Sequence, residues 1–174
     1  MKPQPVVHLE ALVPAHADEM FHVLDDPAIY EFIEDDKPSS LEALRKRYTV
    51  LAMRRSPDRT QLWLNWVVRG ASGHLLGYVQ ATLMAPGTAW VAYAFASRHW
   101  GRGVAQQAVR QMIRLLMTEH EVARLLAAVD QRNARSLRLL ERLGFSTLPL
   151  EQQLLRGVYP GDVLLSSDIG SEPL

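Results

Sequence analysis

A chain of 174 residues with 48% hydrophobic content fits one domain, residues 1–174, and can bury a sizeable core. Nineteen Lys and Arg balance nineteen Asp and Glu, so no global basic field is present to hold nucleic acid or an anionic membrane surface. The absence of cysteine removes disulfides, thiolate metal sites and cysteine nucleophiles together, and the six histidines show neither HExxH nor a paired metal spacing.

The opening segment MKPQPVVHLEALVP carries one early lysine but no apolar run long enough for a signal peptide. No run of about 18 apolar residues occurs anywhere. These features predict a soluble, cytoplasmic protein without metal, nucleic-acid or membrane partners.

Val6 to Leu12 alternates toward a short strand, closed by Pro14, and Ala15 to Leu24 reads as a helix. The acidic, proline-containing stretch DDPAIYEFIEDDKPSS then interrupts regular structure. Its Ser40 can cap a helix over Leu41 to Met53, where Leu41, Leu44, Tyr48 and Leu51 recur at helical spacing. Three strand-like runs follow, Gln61 to Arg69, Leu75 to Met84 and Thr88 to Ala96, separated by the turn sequences GASGH and APG. From Gly103 to His120 the period becomes 3.6, with Ala105, Ala108, Val109, Met112, Ile113 and Leu116 on one stripe. A strand over Arg124 to Val129 precedes a helix from Asn133 to Leu143, which Gly144 can end in the left-handed conformation. The remainder, from Phe145 to Ile169, reads as two extended runs around the turn YPGD, and Ser171 to Leu174 as frayed.

The stretch WGRGVA places Gly101 and Gly103 between a strand and the longest helix, where several backbone N–H groups lie free at a positive helix end. Glycines let the main chain approach an anion closely, and Arg102 adds charge, so a phosphate fits there. A Walker loop is excluded by spacing and the missing lysine. A dinucleotide fingerprint is excluded because Gln106 occupies the third glycine position and a three-strand meander precedes the motif.

The element order, WGRGVA, and the positions Asn133, Ser136, Gly144 and Phe145 in NARSLRLLERLGF together resemble the GNAT N-acetyltransferase superfamily. Trp100, with LDDPAIYEFIEDDKPSSLEAL near the N-terminus, is similar to the branch acting on ribosomal-protein N-termini. The resemblance implies a mixed α/β fold: a mostly antiparallel sheet of six to seven strands, flanked by about four helices and splayed between the fourth and fifth strands. It implies acetyl-CoA as cosubstrate and an N-acetyltransferase moving an acetyl group to a primary amine, a protein N-terminus or a small cationic amine, by direct attack in a ternary complex. A homodimer is common in the resembling group.

Within that resemblance, the N–H of Phe95 is expected to meet the acetyl carbonyl. The amides of Gly101, Arg102, Gly103, Val104 and Ala105 would hold the pyrophosphate, with His99 and Trp100 beside them, and Asn133 would reach the pantetheine arm. The family's tyrosine acid would stand where this chain has Leu140, which leaves Ser136 as the proton donor. The strand glutamate that serves as base in many relatives is replaced by Trp90. Glu31 and Asp35 are candidates for attracting the amine, as are Glu34, Asp36 and Tyr93; Trp63, Trp66 and Trp90 read as core or sheet-face residues. The two departures at Leu140 and Trp90 motivate an alternative, a non-catalytic acyl-CoA-binding or protein-interaction module on the same fold.

Overall fold

Short local bonds fix the element ends. The Ser40 hydroxyl accepts from Ala43 N at 3.1 Å and starts one helix, and the Asn133 side chain accepts from Ser136 N at 3.1 Å and starts another. Gly144, at φ 86°, ends the latter, with Phe145 N closing onto the Leu140 carbonyl at 3.0 Å.

The computed structural model describes residues 4–156 and 158–169. In chain order its elements are β1 (Val7–Ala11), α1 (Ala17–Val23), α2 (Leu41–Leu51), β2 (Leu62–Gly70), β3 (Leu75–Ala85), β4 (Thr88–Phe95) and α3 (Val104–His120). Then come β5 (Arg124–Asp130), α4 (Ala134–Arg142), β6 (Ser146–Thr147), α5 (Leu150–Leu155) and β7 (Asp162–Asp168). Single 3-10 segments cover Pro14–His16, Pro27–Phe32 and Ser97–His99. All seven strands join one sheet in the order β1-β2-β3-β4-β5-β7-β6. Every pairing is antiparallel except β4 with β5, which is parallel and confined to Thr88–Trp90 against Arg124–Leu126. Beyond Trp90 the two central strands part, as the resemblance implied.

The sheet separates two apolar layers. On one face Val104, Ala108, Met112, Ile113 and Leu116 of α3 pack with Leu140 and Leu143 against Val79, Val91, Phe95 and Leu125. On the other, Met20 and Val23 of α1 and Leu44 and Tyr48 of α2 pack with Val67, Leu75 and Ala96. Arg69 locks the near edge: its guanidinium bonds both oxygens of Glu10 at 2.5 and 2.9 Å and reaches Glu19 at 3.2 Å, joining β1, β2 and α1.

One expected strand is corrected. Of the extended run predicted after Phe145, only Ser146 and Thr147 pair with β7 among the described residues, and Leu150–Leu155 form a helix. Pro149 sits at the N-cap, and the Gln153 side chain donates to the Leu148 carbonyl at 2.7 Å while accepting from Leu164 N at 3.2 Å. A single glutamine thus holds this helix against β7. Leu150 and Leu154, four apart, are 70% and 74% exposed and face outward. The predicted frayed end, Ser171 to Leu174, lies outside the described residues.

Gly77 fixes how closely β3 approaches the end of β4. A Cβ there would stand 2.1 Å from the Ala94 carbonyl oxygen and 2.7 Å from Phe95 Cα, both main-chain atoms that cannot swing aside. Gly77→Ala is therefore expected to cost roughly 1–3 kcal/mol, a fall in Tm of about 2–4 °C per kcal/mol. A thermal melt matching the parent's would show that β4 yields freely.

Candidate active site

The hydrogen-bond pattern of β4 decides which groups face the opening. Ala96 N donates to the Leu76 carbonyl at 3.1 Å, while Phe95 stands opposite Gly77. Residues along an antiparallel pair alternate between bonded and non-bonded positions, so the Phe95 N–H and C=O point away from β3. Its carbonyl accepts from the Trp100 indole at 2.8 Å. Its N–H is turned toward the side where β5 has already diverged. The small residues Ala92 on β4 and Ala128 on β5 are exposed there despite sitting in central strands.

The loop that follows brings a bare helix start to the same opening. Gly101 and Gly103 adopt φ 71° and 78°, a region that favours glycine, and no atom lies within 4 Å of the position a Gly101 Cβ would take. No side chain caps α3, and its first helical bond is Gln107 N to the Gly103 carbonyl at 3.1 Å. The N–H groups of Val104, Ala105 and Gln106 therefore have no intrahelical acceptor, at the positive end of a 17-residue helix. Arg102 is exposed beside them. Nearby, His99 Nε2 is buried with no hydrogen-bond partner among the described residues. Burial first, then the charges of Arg98 and Arg102, depress the His99 pKa and keep the ring neutral at physiological pH. The Arg135 guanidinium lies 3.6 Å from the centre of the Trp100 ring, a cation–π contact joining this loop to α4.

Across the opening, the Ser136 Oγ lies 2.7 Å from the Tyr93 hydroxyl. Burial pushes the Tyr93 pKa up to about 12, against the pull of its bond to Ser136, so the phenol keeps its proton. Leu140, at the place of the expected tyrosine, is fully buried in the core. Tyr93 thus joins Ser136 on the α4 face, away from the carboxylates with which it was grouped in the sequence. Those carboxylates separate as well. Glu31 lines a cleft of about 240 Å³ with Arg132, Asn133, Arg135 and Arg138, whereas Asp35 lines a smaller cavity near Tyr30 and bonds Arg47 at 2.9 Å. At the end of β5, Asp130 stands opposite Asp162 of β7; burial first, then the charges of Asp130 and Glu34, raise the Asp162 pKa.

A family model described as an acetyltransferase (GNAT) domain matches residues 7–146. The chain belongs to the GNAT acetyltransferase family. Among curated proteins of Bacillus subtilis strain 168, YkkB is 27% identical over 103 residues, covering 49% of this chain and 60% of its own length. YjcK, named a probable N-acetyltransferase, is 29% identical over 119 residues, covering 67% and 65%. The chain therefore spans somewhat under two thirds of each relative. Among solved structures, RimL, a ribosomal L7/L12 α-N-protein acetyltransferase in complex with coenzyme A, superposes with TM-score 0.79 at 15% identity, covering 95% of this chain and 96% of its own. Spermidine N-acetyltransferase from Vibrio cholerae with CoA and spermine gives 0.74 at 18%, covering 94% and 95%. These likenesses establish the fold.

Acetyl-CoA is the cosubstrate of GNAT acetyltransferases, and the residues of this chain fit it. An uncapped α3 start, two left-handed glycines, a neutral His99 with an orphaned nitrogen and the arginines of α4 suit a diphosphate. The outward Phe95 N–H suits a carbonyl oxygen.

Several parts of this GNAT site escaped the sequence. The Tyr93–Ser136 pair joins residues 43 apart, which no local pattern encodes. Arg135 and Arg138 were visible as basic residues flanking Ser136, and only the fold shows them lining a cleft. Asp26 begins the 3-10 turn Pro27–Phe32, accepting from Ala28 N at 3.1 Å with one oxygen and from Ser97 N at 2.6 Å with the other. It ties the acidic loop to the residues after β4. Burial alone would raise the Asp26 pKa, but the Ser97 and Ala28 donors outweigh it and hold the carboxyl below its usual value.

A depressed folded pKa stabilises above the unfolded value, near pH 4, and that stabilisation is lost as pH falls through the folded pKa. Asp26→Asn is accordingly expected to be less stable by about 1 kcal/mol at pH 7, with the gap closing toward pH 3. Denaturant melts at both pH values check this; a gap independent of pH would remove the charge from the explanation.

Proposed function

We propose that this GNAT protein transfers an acetyl group from acetyl-CoA to a primary amine by direct attack, with both substrates bound at the parted strands. The carrying observation is the Phe95 N–H, turned into the opening beside an uncapped helix and the Ser136–Tyr93 hydroxyl pair. Acetyl-CoA supplies a thioester-activated acetyl group. In the proposed roles, the amides of Gly101, Arg102, Gly103, Val104 and Ala105 hold the pyrophosphate, and Asn133 and Arg135 flank the pantetheine entry. Phe95 N–H donates to the acetyl oxygen as negative charge gathers there.

The chemistry needs one proton removed and one supplied. An α-amino group has a pKa of about 8 and an alkylamine about 10, so the nucleophile arrives mostly charged. Asp162, with a raised pKa and two neighbouring carboxylates, takes that proton as the N–C bond forms. Ser136 gives a proton to the departing sulfur as the C–S bond breaks, and Tyr93 serves as a positioning residue that holds the serine hydroxyl. The Tyr93 hydroxyl on β4, 2.7 Å from Ser136 Oγ, supports this reading over a binding-only module despite the phenol missing at Leu140. Asp35 adds negative charge at the acceptor side, whereas Glu31 faces the α4 arginines.

Purified protein given acetyl-CoA and a panel of amines and N-terminal peptides is expected to release free thiol. Ser136→Ala should lower kcat by about a hundredfold while coenzyme A affinity, read by calorimetry, stays within about twofold. Tyr93→Phe should lower kcat less and leave KM for acetyl-CoA in place. Thiol release no faster with amines than without them would overturn the assignment.

A further inference from the structure

The parting of β4 from β5 leaves main-chain groups of β4 with no strand to meet. Every second residue of β4 bonds β3, in phase with Ala96, so Tyr93 and Phe95 turn both N–H and C=O into the gap. One of those groups is taken up within the chain. The turn Ser97–His99, held at its start by the Asp26 carboxylate on Ser97 N, folds the chain back, and the Trp100 indole donates to the Phe95 carbonyl at 2.8 Å. That carbonyl shares a peptide plane with Ala96 N, which donates to the Leu76 carbonyl at 3.1 Å. The plane is gripped at both ends, from β3 and from the loop. The indole is held in turn: half-buried, it packs against the core under α3, and the Arg135 guanidinium of α4 lies 3.6 Å from its ring centre. A side chain that follows β4 is thereby tied to a helix that follows β5.

Resting on the reading above, in which the Phe95 N–H donates to the acetyl oxygen, we infer that Trp100 is a positioning residue for that donor and that Arg135 clamps the indole. Fixing the plane after Phe95 fixes the backbone that aims its N–H. The Phe95 carbonyl leaves the strand on the same side as the N–H, and its partial negative charge opposes an oxygen on which negative charge gathers. The indole N–H offsets that charge, so the acetyl oxygen meets a donor without a bare acceptor beside it. Packing alone requires only the ring, whereas here the ring nitrogen is spent on the one residue whose N–H the chemistry needs. Arg135 is exposed, so burial does not force it onto the ring. Misplacing a reacting group by about 1 Å can slow a reaction about a hundredfold, which makes a rigid support consequential.

The probes are acetyl-CoA and S-ethyl coenzyme A, which differ by one carbonyl oxygen, titrated calorimetrically into the full chain with no amine present. The protein is expected to bind acetyl-CoA about threefold to tenfold more tightly, the effect of one hydrogen bond. Trp100→Phe keeps a ring and deletes the N–H. It should bring the two affinities within about twofold and, with amine added, lower kcat about tenfold. Arg135→Lys, which keeps the charge without the flat stack, should narrow the preference in the same direction; at an exposed position it keeps the test open should Trp100→Phe not fold. A purely structural role would lower Tm and leave the preference where it was. An undiminished preference in Trp100→Phe overturns the role of the indole, and in Arg135→Lys that of the clamp. If the unaltered protein shows no preference, the Phe95 donor itself falls and takes this inference with it.

Discussion

β4 and β5 pair for three residues and then separate, and each keeps its other neighbour for its whole length. β3 follows β4 from Thr88 to Phe95, and β7 follows β5 from Arg124 to Asp130. Neither strand is therefore free to collapse across the gap, and the main-chain groups on the two facing edges are left for something other than the sheet. Unpaired backbone donors inside a protein are costly, so an opening of this kind persists only where flanking ladders enforce it. Gly77 sharpens the constraint by letting β3 press against Phe95 with no side chain between them. The direction of the Phe95 N–H follows from that pairing register.

The chemistry then divides by face. The helix start, His99, the arginines of α4 and the Ser136–Tyr93 pair lie with the α3 and α4 layer, while Asn65, Gln80, Trp90 and Asp35 lie with α1 and α2. Electrostatics support the division. The first side presents a positive helix end and exposed guanidinium groups, suited to phosphates. The second presents carboxylates and neutral amides. Asp26 couples the two, because its carboxylate holds the loop of the acceptor side onto the backbone just beyond β4.

What the sequence disclosed was local. Helical period, the Ser40 and Asn133 caps, the turn glycines and the bare start of α3 each depend on residues within one or two turns, and each appears where the pattern placed it. The family resemblance, carried by the same local motifs, foresaw the splay. What stayed hidden depends on distant segments. Tyr93 reaches Ser136 across 43 residues, and Asp26 reaches Ser97 across 71. Leu150–Leu155 misled for a related reason: Leu150 and Leu154 face outward, and the Gln153 side chain ties the helix to β7.

The same division bears on how such a site tolerates change. In the proposed arrangement the groups assigned to the donor are mostly main-chain atoms, which most side-chain substitutions leave where they are. Those assigned to the acceptor are side chains on one sheet face and in one loop, each replaceable without altering strand register. Trp90 illustrates the point: it stands where the family resemblance implies a glutamate base, and in the proposed mechanism that role passes to Asp162 at the β5–β7 end. A fold that fixes the thioester by backbone geometry can move its proton acceptor from one strand to another, because the reacting nitrogen requires only a carboxylate within reach.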